Sequence, residues 1–210
     1  MTRAFIDRWV DRFDTVYGTT PLAEVPWFTA APGIKLIEAV IDGLIKRGSD
    51  IVDLGCGPGV DAVFLAAAGA RVVGIDSSAA ALDRARTLAS WAGVDVGFRQ
   101  GDILATGLPD ACADIVNDSF VFHNVSDEAR PLYAAEVYRI LRPGATFLLS
   151  AFSDRMANGT GPRRISASEI FDTFPPNRFN CQHLEVYQNL PTPTRPGQYH
   201  WFGVFRRMPS

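Results

Sequence analysis

The sequence predicts an α/β fold: a doubly wound, mostly parallel sheet with helices on both faces and an antiparallel C-terminal hairpin at one edge. Three observations carry that expectation. Short apolar runs alternate with helical patterns from Ile51 to Phe152, the rhythm of a parallel sheet covered on both sides. The first run, "IVDL", leads into three glycines within five positions, Gly55, Gly57 and Gly59. The chain then closes with two longer strand patterns, "RFNCQHLEVYQNL" and "QYHWFGVFRRM", joined by a proline-rich turn.

The elements follow in order. Phe5, Trp9, Phe13 and Val16 recur at helical spacing over residues 3–17, and Gly18 to Pro26 reads as a loop. A helix opens near Pro32, with Ile34, Ile37, Val40, Ile41 and Leu44 on one face, and Gly48 closes it. Strand Ile51–Leu54 leads to helix Val60–Ala68, stopped by Gly69; strand Val72–Ile75 leads to helix Ala79–Ala92. Strands Val96–Gln100 and Ala113–Val116 follow, then helix Asp127–Leu141, ended by the "RPG" of Arg142–Gly144, and strand Thr146–Phe152. Ser166 and Glu169 have the spacing of a capping box and start a last helix. The chain reads as a single domain, 1–210: an N-terminal helical cover (1–31), a core (32–152), and a lid loop with the C-terminal strands (153–210).

Bulk properties exclude several classes. A chain of 210 residues, 47% hydrophobic and 20% charged, suits one well-cored globular domain. A net charge of −3 gives no attraction to nucleic acid or to an anionic membrane. The opening "MTRAFIDRWVDRF" lacks the apolar core of a signal peptide, and Asp61 and Arg71 interrupt the best apolar run, so a cytoplasmic protein is predicted. Cys56, Cys112 and Cys181, and His123, His183 and His200, are scattered, so neither a disulfide framework nor a metal site is expected. No long apolar stripe is left over, which favours a monomer.

Open parallel sheets bind ligands at the carboxyl ends of their strands. Gly55 and Gly57 permit sharp turns there, and Asp76, about 20 residues on, stands where an acid accepts from ribose hydroxyls. The plainer alternative is a glycine turn followed by a helix-capping acid. A dinucleotide fingerprint fits poorly, because the third glycine comes one residue early and Val60 holds the Gly/Ala position. Asp53 would repel a pyrophosphate and suits a ligand carrying an ammonium or sulfonium group.

"VDLGCGPG" and "VVGIDSS" resemble the first two motifs of class I S-adenosylmethionine-dependent methyltransferases. The resemblance continues through "RQGDIL", "ADIVNDSFVFHNV" and "EVYRILRPGATFLLSAF", covering about residues 32–152. "RWVDRFD…VPW", "DSFVFHNV" and "FSDR…GPRRIS" are similar to the thiopurine and tellurite-resistance, or thiol, methyltransferase branch. "PWFTAAPG" departs from that branch by lacking its aspartate and glycine before proline.

The resemblance implies a Rossmann-like fold, S-adenosylmethionine as cofactor, S-adenosylhomocysteine as product, and residue roles. Asp53, Gly55, Cys56, Gly57 and Gly59 would line the methionine and ribose part, and Asp76 with Ser77 the ribose. Asp102 would accept from the adenine amino group, or be a turn acid, with Ile103 packing on the ring. Asp118 and Ser119 would face the methionine end and the transferred methyl, and Trp27 would cover the cofactor or belong to the core.

Methyl transfer from a sulfonium is an in-line displacement that asks mainly for alignment and exclusion of water, and needs no metal. A thiol acceptor requires little base; a hydroxyl requires a general base, for which His123 is the candidate if it is not a helix cap or a pocket wall. Phe120, Phe122 and Phe152, with Trp9 and Phe13 from the cover, are candidates for an apolar acceptor pocket, or for core. The loop Ser153–Arg164 is a candidate lid, with Arg155, Arg163 or Arg164 facing an acidic acceptor. The expected function is therefore methylation of a small molecule, a thiol or a small aromatic or heterocyclic compound. Alternatives are an O- or N-methyltransferase of a quinone or secondary metabolite, a cofactor-binding protein without catalysis, and an NAD-dependent oxidoreductase. The short cover and absence of an appended substrate domain favour a small acceptor over protein or RNA.

Overall fold

The computed structural model describes residues 10–157, 162–189 and 197–209, with side chains from Arg12 onward. Phe5 and Trp9, and the residues before Val10 of the first predicted helix, lie outside this range. Seven strands form one sheet: β1 (Asp50–Leu54), β2 (Arg71–Asp76), β3 (Gly97–Gln100), β4 (Ala113–Ser119), β5 (Leu141–Phe152), β6 (Phe179–Gln188) and β7 (Tyr199–Arg207). Their order is β3-β2-β1-β4-β5-β7-β6. The first five run parallel; β7 is antiparallel to both β5 and β6, as the terminal hairpin pattern predicts.

The helices are α1 (Val10–Thr19), α2 (Ile34–Ile41), α3 (Val60–Ala67), α4 (Ala79–Ala92), α5 (Arg130–Ile140) and α6 (Ala167–Thr173). Because β1 is a central strand, it is buried on both faces from Ile51 to Leu54. One sheet face packs Val52, Leu54, Val116, Phe147 and Leu149 against Tyr133 and Val137 of α5 and Ile170 of α6. The other packs Ile51, Val72, Ile115, Leu148 and Phe202 against Leu36 and Ala39 of α2 and Ala62 and Leu65 of α3.

Several boundaries differ from the sequence expectation, each for a local reason. Ala129 and Arg130 both donate to the Ser126 carbonyl in a turn, so α5 begins at Arg130, with Pro131 in its first turn, and not at Asp127. β5 begins at Leu141, opposite Ala113, and the register slips between Ala113 and Ile115, which absorbs Arg142–Ala145 and the left-handed Gly144 into an irregular strand start. β4 runs on to Ser119 because it pairs with β5 as far as Ser150. α2 stops at Ile41, two residues before the left-handed Gly43, and Leu44 packs beneath it from a turn. The capping box of Ser166 and Glu169 is formed as expected.

Candidate active site

The crossovers from β1 and to β4 leave the sheet in opposite directions, so the crevice between their carboxyl ends is the switch point where such sheets take ligands. Side chains alternate along each strand, so Asp53, Asn117, Ser119, Ser150, Phe152 and His200 share the face of α2 and α3. Asp118 falls on the opposite face, toward α5.

The glycine loop is tied to β2. Cys56 N donates to the Ile75 carbonyl at 3.0 Å, Gly57 N donates to Asp76 Oδ2 at 2.7 Å, and Ser78 N donates to Asp76 Oδ1 at 2.8 Å. The Ser77 backbone N–H also bonds this carboxylate, whose remaining acceptor capacity is open to a ribose hydroxyl. Packing accounts for two of the three glycines. A Cβ at Gly55 would stand 2.4 Å from Val121 Cγ2; one at Gly59, which caps α3 at φ 84°, would stand 2.7 Å from Ala85 Cβ.

Three carboxylates converge here. Asp53, 1% exposed, accepts from Asn117 Nδ2 at 2.8 Å through Oδ1, while its buried Oδ2 has no partner among the described residues. Asp61 accepts from Gly33 N at 3.1 Å and from the Ser119 hydroxyl. Burial, and then the neighbouring Asp61 charge, holds the Asp53 carboxyl well above its ordinary range; burial also raises Asp61 and Asp76. An orphaned oxygen among desolvated carboxylates is complementary to a cation, so the residues present fit the ammonium and sulfonium groups of S-adenosylmethionine. Asp61 and Asn117 escaped the sequence reading. In sequence, Asp61 is an ordinary first-turn helix acid, and Asn117 lies inside "ADIVNDSFVFHNV" with no role assigned to it.

The cover over this end comes from α1. Asp14 accepts from Ser78 Oγ at 2.8 Å and from Ala80 N at 3.2 Å, clamping α1 to the start of α4. Buried Tyr17 brings its hydroxyl 3.3 Å from the point a Cβ on Gly57 would occupy, and burial pushes its phenol up to about 12. Trp27, 39% exposed, donates to that hydroxyl at 2.8 Å and meets Phe13 edge-on at 5.3 Å. Trp27 is thus a cover residue and not core. Phe13 belongs to this same end, away from the aromatic residues of β5 and β7. Tyr17 was missed because an aromatic at helical spacing reads as core.

Other candidates separate. Ser77 is exposed, its carbonyl accepting from Gln100 Nε2 at 2.9 Å. Asp102 accepts from Leu104 N at 2.8 Å and shapes a turn, and Ile103 lies in the core cluster. Asp118 is fully buried: Tyr133 donates to Oδ2 at 2.5 Å, and Val121 N and Phe122 N donate to Oδ1 at 2.8 and 3.3 Å. Burial raises it to about 6. It holds the 118–122 turn in place from beneath, a structural task that replaces the expected role at the methyl. Phe122 is corrected likewise: it is 0% exposed and packs on Tyr133 and Phe174, in the core and not in an acceptor pocket.

Phe120 and Phe152 do come together. Phe120, held at φ 67°, lies 5.8 Å from Phe152 and 4.8 Å from His200, centre to centre. His123 stacks on Phe152 at 4.1 Å, and its Nδ1 accepts from Phe152 N at 3.2 Å. Burial, and then His200 and Arg164, lowers His123 to about 3. With Nδ1 spent on the Phe152 amide and its ring stacked on Phe152, His123 takes the place of a wall residue, one of the alternatives its sequence position left open. Arg155 is exposed; Arg163 pairs with Asp127 and Glu169; Arg164 donates to the Pro162 and Ala157 carbonyls and lies 5.7 Å from the Phe152 ring. The expected lid is described only outside residues 158–161. No helix among the described residues is long and apolar enough to cross a membrane.

Comparison with known proteins agrees with this geometry. Residues 51–144 match the family described as "Methyltransferase domain". A probable S-adenosylmethionine-dependent methyltransferase of Mycolicibacterium smegmatis is 34% identical over 71% of this chain and 52% of that protein. The 2-heptyl-1-hydroxyquinolin-4(1H)-one methyltransferase of Mycobacteroides abscessus is 30% identical over 76% of this chain and 73% of that protein. The chain therefore spans about half the length of the first of these relatives and nearly three quarters of the second. A solved structure from work on the conversion of a disulfide bond into a thioacetal group during echinomycin biosynthesis superposes with a TM-score of 0.82 at 28% identity, covering 95% of this chain and 92% of that one. With the glycine loop, the paired acids at the ends of β1 and β2, and these relatives in agreement, the chain belongs to the S-adenosylmethionine-dependent methyltransferases.

Proposed function

We propose that this protein transfers a methyl group from S-adenosylmethionine to a small, planar, uncharged acceptor, through sulfur or a ring nitrogen. The observation that carries the reading is Asp53: a buried carboxylate with an orphaned oxygen, at the mouth of a crevice whose other end is aromatic. The bound cofactor supplies a methyl group already activated by its sulfonium. The protein's own residues bind and align. Asp76 accepts from the ribose hydroxyls while holding the Gly57 amide; Asp53, kept in register by Asn117, faces the ammonium. Asp61, fixed by Gly33 and Ser119, adds negative potential beside the sulfonium. Tyr17 and Trp27 close the top and keep water out.

The aromatic wall of Phe120, His123 and Phe152 bounds the acceptor's seat. With His123 held neutral, the wall offers weak base assistance, which suits a thiol that ionises by itself or a ring nitrogen with a free lone pair. The relative named for a hydroxyquinolinone supports a planar heteroaromatic acceptor, and the solved structure, which comes from work on sulfur chemistry, supports a thiol. The test is release of S-adenosylhomocysteine over a panel of small thiols, phenols and N-heterocycles, beside Asp76→Ala. Turnover with a thiol or N-heterocycle that vanishes in the variant is the expected result. Turnover with phenols alone would overturn the choice of nucleophile, and cofactor binding without any turnover would favour a non-catalytic binder.

A further inference from the structure

The two imidazoles of the aromatic wall differ in one respect. His123 spends its Nδ1 on the Phe152 amide. His200, 5% exposed, has a buried Nδ1 with no hydrogen-bond partner among the described residues. His200 sits on β7 directly opposite Phe152 of β5 and Tyr187 of β6. Its ring is fenced by Phe152, nearly parallel at 5.4 Å, by Phe120, edge-on at 4.8 Å, and by Tyr187 at 5.6 Å. None of these satisfies the nitrogen: two are phenyl rings, and the Tyr187 hydroxyl is engaged with Ser150. Leaving such an atom unpaired in a buried place is costly, which makes it a candidate for a partner that arrives with a ligand.

The neighbouring backbone is committed to the same spot. Phe120 holds a left-handed conformation that is strained for a non-glycine residue. Two hydrogen bonds maintain it: Phe120 N donates to the Ser150 carbonyl at 2.9 Å, and Asn124 Nδ2 donates to the Phe120 carbonyl at 3.2 Å. The strained conformation turns the Phe120 ring against His200. Asn124 Oδ1 is likewise buried without a partner. Apart from arginine nitrogens, the buried side-chain atoms lacking partners among the described residues are Asp53 Oδ2, Asn124 Oδ1 and His200 Nδ1. Asp53 and His200 share the face of α2 and α3 at the carboxyl ends of β1 and β5. Asp53 is matched by the cofactor's cation; an unprotonated His200 Nδ1 is an acceptor and calls for a donor on a neutral molecule.

We infer that His200 selects the acceptor: its Nδ1 receives a hydrogen bond from a ring hydroxyl or ring N–H of a planar heteroaromatic molecule seated against Phe120 and Phe152. His200 is a positioning residue; it takes no proton in the reaction. The inference rests on reading the crevice as a methyltransferase acceptor site and narrows that reading to heteroaromatic acceptors bearing a donor, away from aliphatic thiols.

The test is calorimetric binding of 6-hydroxyquinoline and of the size-matched 6-methylquinoline to the protein saturated with S-adenosylhomocysteine. Wild type is expected to bind the hydroxyl compound about tenfold or more tightly, the value of one buried hydrogen bond. His200→Phe, which keeps an aromatic ring in the stack, should erase that preference and leave S-adenosylhomocysteine affinity unchanged. His200→Asn, which restores an acceptor oxygen near the Nδ1 position, should recover most of it, and urea unfolding of both variants checks that each is folded. With any acceptor that turns over, His200→Phe should raise KM and spare kcat. Equal binding of the two compounds by wild type, binding of neither, or a preference that survives in His200→Phe would overturn the inference while the cofactor reading stands. Failure of wild type to bind S-adenosylhomocysteine would overturn both.

Discussion

The end of the crevice at β1 and β2 holds two buried carboxylates, Asp53 and Asp76, and the half-buried Asp61; the end at β5 and β7 holds two neutral imidazoles among phenyl and phenol rings. The first suits a ligand with positive charge, the second a neutral, flat one. The same desolvation acts on both with opposite consequences. It raises the carboxyls, so their charge is costly until a cation arrives; it lowers His123 to about 3 and His200 to about 4, so both rings stay uncharged. On the proposed function, electrostatic preparation for the cofactor and electrostatic silence toward the acceptor have one physical cause acting on different side chains.

The contrast is open to test, beginning with the largest effect. Asp76→Ala removes a charge-assisted grip on the glycine loop and on the ribose together, so S-adenosylmethionine affinity should fall at least about 100-fold in calorimetry, two such bonds being worth about 3 kcal/mol. A loss under threefold would mean that the carboxylate end does not hold the cofactor.

Asp53→Asn should separate binding from stability. Affinity for S-adenosylmethionine is expected to drop about tenfold to thirtyfold, through loss of a buried ionic contact worth about 2 kcal/mol. The free protein should become more stable near neutral pH. The folded state raises the Asp53 pKa and holds its proton longer than the unfolded chain does. Its contribution is therefore intact below the unfolded pKa of about 4 and is lost as pH rises through the folded value. Urea unfolding across pH should show a shallower decline in the variant; identical curves would remove Asp53 from the account.

At the aromatic end, Phe120→Ala should raise acceptor KM about tenfold, as for a buried aromatic contact of about 1.5 kcal/mol, with S-adenosylmethionine affinity unchanged. A parallel loss of cofactor affinity would show that the two ends are not separable. The smallest effect is expected of His123→Phe: kcat within about threefold of wild type, and no inflection attributable to this residue between about pH 5.5 and 8, because its ring is neutral throughout. A large loss of kcat that follows a single ionisation would restore it as the base.

The same comparison explains what was legible in the sequence. The cofactor end lies within the contiguous stretch from Asp53 to Asp76, where strand, glycines, helix, strand and acid follow one another, so local pattern exposes it. What pattern did not expose is tertiary: Asp61 resembles any first-turn acid, and only the fold sets it beside Asp53. The proposed acceptor end draws Phe120, His123, Phe152, Tyr187 and His200 from four separate segments, and antiparallel registers set His200 opposite Phe152 and Tyr187 opposite His200. In the adjacent pair Phe122 and His123, one ring enters the core and the other the crevice wall, a choice made by the short helical turn at Phe122–Asn124. Asp118 is the penultimate residue of β4 as Asp53 is of β1, yet strand alternation sends it toward Tyr133, on the opposite face of the sheet. Fold class was readable because it depends on periodicity; acceptor residues were not, because they depend on which face each side chain takes.

The most direct measurement of the central claim is titration of S-adenosylmethionine into the protein near about pH 6, in two buffers of different ionisation enthalpy. If buried carboxylates await a cation, binding lowers their pKa values and drives protons into the buffer, so the observed heats will differ between buffers and the difference will shrink in Asp53→Asn. Equal heats in both buffers, or tighter binding of NAD than of S-adenosylmethionine, would contradict the account.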